Sequence, residues 1–306
     1  MQFLVRTFTL FLCINSLSHA LCQTQGPQVS SGKVDRYTNF ASQFVPARNV
    51  DVWLPDHYAP EKKYAVVYMH DGQMLFDAAQ TWNKQEWNID STVGSLIQRQ
   101  EIQDCIVVGI WNIPERRKRE YFPQDAMQFI DPLLMDSVRS VEWQNDMGQA
   151  NAYLSFIVRE LKPFIDNNYA TYTDRKHTII AGSSMGGLIS LYAICNYPAI
   201  FGGAICMSTH WPGSLKVIND EIPEGLIKYF KKHLPNPKYH KIYFDYGTET
   251  LDKAYGPFQK EMNEVMRKKG YKKTSFLVKV FNGDDHSEHA WARRFHLPLT
   301  FMLGVK

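Results

Sequence analysis

The residues best placed to do chemistry are Gly182-Ser183-Ser184-Met185-Gly186, a match to G-x-S-x-G. A short β-branched run, Thr178 to Ile180, precedes them, and Leu188, Leu191, Tyr192 and Cys195 follow at helical spacing. A serine on a tight strand-to-helix turn needs small residues two positions either side, because the turn brings backbone against backbone. The N–H of Met185, at the positive end of the helix, would then face a developing oxyanion. Only Ser184 has glycine at both −2 and +2, so Ser183 is the weaker candidate. The plainer alternative is a glycine-rich turn that merely packs a helix against a sheet. The strand before, the helix after and the additional Gly187 favour the nucleophile.

A serine hydroxyl attacks well only when an imidazole takes its proton and a carboxylate fixes that imidazole. Ligands of open α/β sheets bind beyond the carboxyl ends of the strands, so candidates are sought there. Asp71-Gly72-Gln73 follows the apolar run 64–70, Gly247 to Asp252 follows 242–246, and Asn282 to His286 follows 276–281. His286 is the favoured base, with His289 expected to face along the closing helix. Asp252 is the favoured acid, ahead of Glu249, and Asp245 precedes the turn. The chain order of nucleophile, acid and base is that of α/β-hydrolases. His286-Ser287-Glu288-His289, with Asp284, Asp285 and His70-Asp71, looks like a metal-ligand cluster. Its spacing is not H-E-x-x-H and the cysteines are not paired as zinc ligands, so no metal and no cofactor are expected. The run Arg116 to Arg119 reads most simply as a solvated loop face; otherwise it borders the entrance and favours acidic or polar substrates. Trp82, Trp87 and Trp111 follow central strands and would wall an acyl or sugar site, ordinary packing being an equal alternative.

The elements that must position these groups alternate. Strands are expected at Val34 to Phe40, Arg48 to Pro55, Tyr64 to His70, Cys105 to Ile110, Thr178 to Ile180, Gly203 to Met207, Ile242 to Tyr246 and Phe276 to Phe281. Helices are expected from Tyr153, with a kink or restart at Pro163, then after the elbow, around Glu224 to Lys232, Phe258 to Lys269 and Ala290 to Leu303. A long polar insertion fills Trp111 to about Asp146. Near-continuous apolar strands alternating with helices imply an α/β fold, a mainly parallel sheet covered by helices on both faces. No repeat or linker divides it, so residues 23–306 are expected to form one domain.

Composition excludes several classes. With 44% hydrophobic and 21% charged residues in 306, the chain is not largely disordered. A formal net charge of +3 is too small to imply a nucleic-acid partner. Residues 1–22, with Arg6 and the short apolar run Phe8 to Ile14, read as a cleaved secretory signal, too short to span a bilayer. A secreted or periplasmic protein is therefore expected. Lipidation of Cys22 is the competing idea, disfavoured by Leu21. Cys105, Cys195 and Cys206 fall inside core elements and read as buried thiols rather than a disulfide framework.

From about Arg48 onward the chain resembles the esterase D-like family of α/β-hydrolases. That family includes feruloyl and acetyl-xylan esterases, enterochelin esterases and mycolyltransferases. The resemblance is carried by Tyr68-Met69-His70-Asp71-Gly72-Gln73, Trp111-Asn112, Arg119-Glu120-Tyr121-Phe122-Pro123, Glu160 to Asp166, Gly182 to Gly187, Asp245 to Asp252, and His286-Ser287-Glu288 with Trp291. It implies Ser184 as nucleophile, His286 as base, and the N–H groups of Met185 and Gln73 as an oxyanion hole. Asp71, Trp111 and Arg119 become substrate-binding candidates. Where some relatives place the acid, three residues after the glycine of the Gly-Thr turn, this chain has Thr250, which leaves Asp252 open. The implied activity is hydrolysis of a small-molecule or oligosaccharide ester, feruloyl or acetyl carbohydrate first. A siderophore esterase, a sugar acyltransferase and a non-catalytic carbohydrate-binding relative are the alternatives.

Overall fold

The strand Ala65–His70 (β3) is buried at every position because it lies inside a sheet covered on both faces. The computed structural model describes residues 26–305, so the expected targeting segment lies outside the described residues. The other strands are β1 Lys33–Phe40, β2 Arg48–Leu54, β4 Cys105–Ile110, β5 Thr178–Ser183, β6 Gly203–Met207, β7 Lys241–Gly247 and β8 Phe276–Phe281. They form one eight-stranded sheet in the order β1-β2-β4-β3-β5-β6-β7-β8. The six strands from β4 to β8 run parallel, and β2 and β1 add an antiparallel edge. This is the mainly parallel α/β sheet expected from the strand runs, and all eight expected strands are present.

Helices follow as α1 Ile89–Gln98, α2 Pro114–Tyr121, α3 Pro132–Glu142, α4 Ala150–Phe156, α5 Lys162–Asn168, α6 Met185–Asn196, α7 Glu221–His233, α8 Gly256–Lys268, α9 Glu288–Arg294 and α10 His296–Leu303. Alternation along β3 divides the core. Val66 and Tyr68 pack with Leu154, Leu188, Leu191 and Leu226 from α4, α6 and α7. Ala65, Val67 and Met69 pack with Val93 of α1 and Leu299 of α10 on the opposite face. Burying each such aliphatic side chain is worth about 1.5–3 kcal/mol. Cys105, Cys195 and Cys206 are free and buried in this core. Burial pushes the Cys105 thiol up to about 12, so it is inert packing at neutral pH.

The restart expected at Pro163 is present: a π-helical turn, Ile157–Leu161, follows α4, and α5 begins at Lys162 with Pro163 in its first turn. The wider turn accommodates a residue that has no N–H to donate. The stretch 111–146 is not a loop but carries α2 and α3, each opened by a proline in its first turn, where the missing donor costs nothing.

Candidate active site

Ser184 sits between β5 and α6 with φ 58° and ψ −125°, a backbone that a non-glycine residue adopts only under strain. The geometry explains the flanking glycines. A Cβ on Gly182 would come within 2.8 Å of the Gly186 carbonyl carbon, so position 182 takes no side chain, while a Cβ on Gly186 would meet Asp71 and His70 at 3.4 Å. The turn is pinned by the Ser184 N–H donating to Met207 O at 2.9 Å and by His210 N–H donating to Ser184 O at 3.1 Å. α6 behind it is buried from Met185 to Cys195, which fixes where its amino end points.

His286 lies in the loop after β8, and its Nδ1 is 2.5 Å from Asp252 Oδ1. Asp252 is fully buried in a 3-10 turn after β7, whereas Glu249 and His289 are exposed. The second oxygen of Asp252 accepts from Gly247 N–H at 2.6 Å and Ser208 O–H at 2.5 Å. Ser208 Oγ in turn accepts from Trp291 Nε1 and Arg294 Nη2, each at 2.9 Å, so its donor and both lone pairs are used. Asp245 faces Arg294 and Tyr243 instead of the imidazole. Thr250 occupies the place of the acid in some relatives, and its hydroxyl accepts the His286 N–H at 2.8 Å. Further links tie the two loops together: Gly283 N–H donates to Thr248 Oγ1, and Thr248 and Glu249 donate to Asp284 O. The His286 ring stands edge-to-face to Trp291 at 4.9 Å and Tyr255 at 5.9 Å. Ser208 and Arg294 carried no sequence signal, since their role depends on contacts across the fold.

Ser184 and His286 both line a cleft of about 810 Å³, with Asp71, Gln73, Trp82 and Asn112 in its walls. Both also border a smaller cavity of about 180 Å³ walled by Met185, Leu215 and Leu251. Gln73 lies in the 3-10 turn Gly72–Met74 after β3, and Met185 opens α6. N–H groups at these first positions have no partner within their helix and face outward. Asp71 adopts the left-handed conformation just before this turn. Its carboxylate accepts two bonds from Arg117 at 2.7 Å each and one from Asn112 Nδ2 at 2.6 Å. Burial raises the Asp71 carboxyl, but the guanidinium and amide override it and hold it below its ordinary value.

Two expected contacts are corrected. Trp111 lines neither cavity; its Nε1 donates to Asp51 Oδ2 and its ring lies under the Arg36 guanidinium at 4.9 Å. Arg119 is buried against Asp146, while Arg117 borders both cavities. Two residues apart on a helix place side chains about 200° around the axis, so only one of the pair faces the site. The Arg116 to Arg119 run is therefore not a solvated loop.

Two buried histidines flank the site. Burial lowers His70 to about 3 and, with the nearby His286 charge, lowers His210 to about 4. Both pKa values lie below that of an unfolded histidine, so the unfolded chain binds more protons and stability falls as pH drops below about 6.5. His210's share is fully lost near pH 4 and His70's near pH 3. Each should cost roughly 2–3 kcal/mol by about pH 4.5. Urea midpoints measured across that window should fall with acid, and the fall should be smaller in His210→Gln.

A parallel α/β sheet with a strained serine at the strand-to-helix turn, and a His–Asp pair on the following loops, defines an α/β-hydrolase-type esterase. The model of the family described as "Putative esterase" matches residues 43–302, and the chain belongs to that family. It is 24% identical over 263 residues to the uncharacterized protein YbbA of Bacillus subtilis, covering 84% of this chain and 93% of that one. Among solved structures, a ferulic acid esterase superposes with a TM-score of 0.62 at 21% identity, over 89% of this chain and 98% of its own. Ferric enterobactin esterase from Salmonella typhimurium superposes with a TM-score of 0.61 at 17% identity, over 90% of this chain and 59% of its own.

Proposed function

We propose that the protein is a serine carboxylic ester hydrolase that deacylates carbohydrate esters. The observation that carries this reading is the His286–Asp252 pair, lining through His286 the same cleft as the strained Ser184. With Nδ1 committed to Asp252, the neutral tautomer leaves Nε2 to accept the Ser184 proton. The Ser184 oxygen adds to the ester carbonyl as that proton moves to His286. The Met185 and Gln73 N–H groups stabilise the resulting oxyanion. Collapse breaks the carbon–oxygen bond to the alcohol, which leaves with the His286 proton. Water then repeats the sequence on the acyl-serine and releases the acid.

The two cavities meeting at Ser184 suit the two halves of an ester. Trp82 in the larger is 83% exposed and stands with Asn83, Gln85, Asn112 and Glu288. An aromatic face among amides and a carboxylate is the chemistry of a sugar site. The smaller, apolar cavity suits an acetyl or feruloyl group. The solved feruloyl esterase neighbours support this order of preference. The apolar run Phe8 to Ile14 after Arg6 supports secretion.

Feruloylated arabinose, acetylated xylooligomers and a cyclic catecholoyl-serine triester should be incubated with the protein and acid release followed by mass spectrometry. Feruloyl or acetyl release is expected to be fastest. Preference for the triester by about tenfold or more in kcat/KM would replace the carbohydrate reading with the siderophore one.

A further inference from the structure

At the amino ends of β5, β6 and β7 lies a second groove of about 780 Å³, lined by Arg175, Lys176, Lys238, Tyr239, Lys241 and Lys272. It is about 16 Å from Ser184, counting the five residue steps of β5 from Ile179 at about 3.3 Å each. No acidic side chain lines it. Among the described residues, none of these five cations is paired with a carboxylate. A chain whose net charge is only +3 thus concentrates five unpaired cations in one concavity.

Two features make this more than a scatter of surface lysines. Lys241 is half-buried at the floor, where its ammonium donates to Phe301 O and Met302 O. Burial and the neighbouring charge of Lys176 both lower its pKa, so two like charges are held close with no counter-ion. Tyr239 is 51% exposed at the rim, with Arg175 at 5.1 Å and Lys238 at 5.3 Å from its ring centre. The two cations lie over the ring, and the half of it that stays exposed puts an aromatic surface next to anion partners.

We propose that this groove binds an acidic polysaccharide, its uronate carboxylates on the lysines and arginine and one sugar ring on Tyr239. A concave groove does not fit a flat bilayer, and the choice of a glycan over a nucleic acid as the polyanion rests on the carbohydrate-ester reading above. The site is independent of the ester chemistry. It would hold the protein on an acidic glycan while the opposite end of the sheet stays free.

The test uses polygalacturonate, with the mature chain and calorimetry at low salt. Binding is expected, and it should weaken roughly tenfold or more from 20 to 200 mM salt, as a charge-driven contact does. The exposed triple variant Lys176→Glu, Lys238→Glu and Lys272→Glu should lose most of the affinity, and Tyr239→Ala several-fold, with p-nitrophenyl acetate hydrolysis unchanged in both. That hydrolysis separates misfolding from loss of the groove; if the triple variant loses it, single Lys238→Glu and Lys272→Glu chains replace it. Absence of binding, or binding unaffected by these substitutions, overturns the proposal. So does tighter binding of oligouridylate through the same residues, which would make the ligand a nucleic acid.

Discussion

Ser184→Ala is expected to lower kcat on a p-nitrophenyl ester by about 10⁴ to 10⁶, with substrate binding little changed. The loss is large because the other groups act through the nucleophile: His286 has no proton to take and the oxyanion donors face no tetrahedral centre. Ser183→Ala should lose far less. Ser183 ends β5 and is buried, whereas Ser184 alone occupies the strained turn. Alanine at 184 keeps a Cβ in the same backbone, so the fold should hold and its melting temperature should stay near that of the parent. Equal losses at both positions would place the elbow one residue away.

The second large effect is expected at Asp252. Its carboxylate holds His286 on one oxygen and accepts from Gly247 and Ser208 on the other. Asp252→Asn would present an amide N–H in place of an acceptor to one of these donors. An amide facing His286 Nδ1 also favours the tautomer that cannot accept the serine proton, at a cost of about 10⁴ in kcat. Glu249→Gln should stay close to the parent rate, because that side chain is exposed. A buried unpaired amide destabilises by about 1–3 kcal/mol, so circular dichroism and melting must first show both variants folded. A folded Glu249→Gln that is the crippled one would move the acid. Full activity in both would leave His286 working without either carboxylate.

Local patterns made most of the sheet readable. The runs at β3 and β4 are apolar at nearly every position, and β5 at Ile179 to Ala181, because both faces are covered, and that pattern survives without knowledge of neighbours. The elbow was readable for the same reason: its glycines answer to a clash five residues wide. α2 was not. Its sequence, Pro-Glu-Arg-Arg-Lys-Arg-Glu-Tyr, has no apolar stripe, and its charges are satisfied by residues far along the chain. Arg117 meets Asp71, Lys118 meets Glu142, Arg119 meets Asp146 and Glu120 meets Arg48. Periodicity cannot report such pairing, although Asp131-Pro132 before α3 is a capping signal that spacing alone passes over. Asp252 and Glu249 follow the same strand, and burial separates them.

The central claim is that Ser184 is the residue acylated during turnover. It is tested most directly by treating the protein with a fluorophosphonate that reacts only with an activated serine, then mapping the adduct by tandem mass spectrometry. The account predicts one adduct, on Ser184, formed rapidly in the parent and in His289→Ala and very slowly in His286→Ala. An adduct on Ser183, or ester hydrolysis that persists at full rate with Ser184 unmodified, would contradict it.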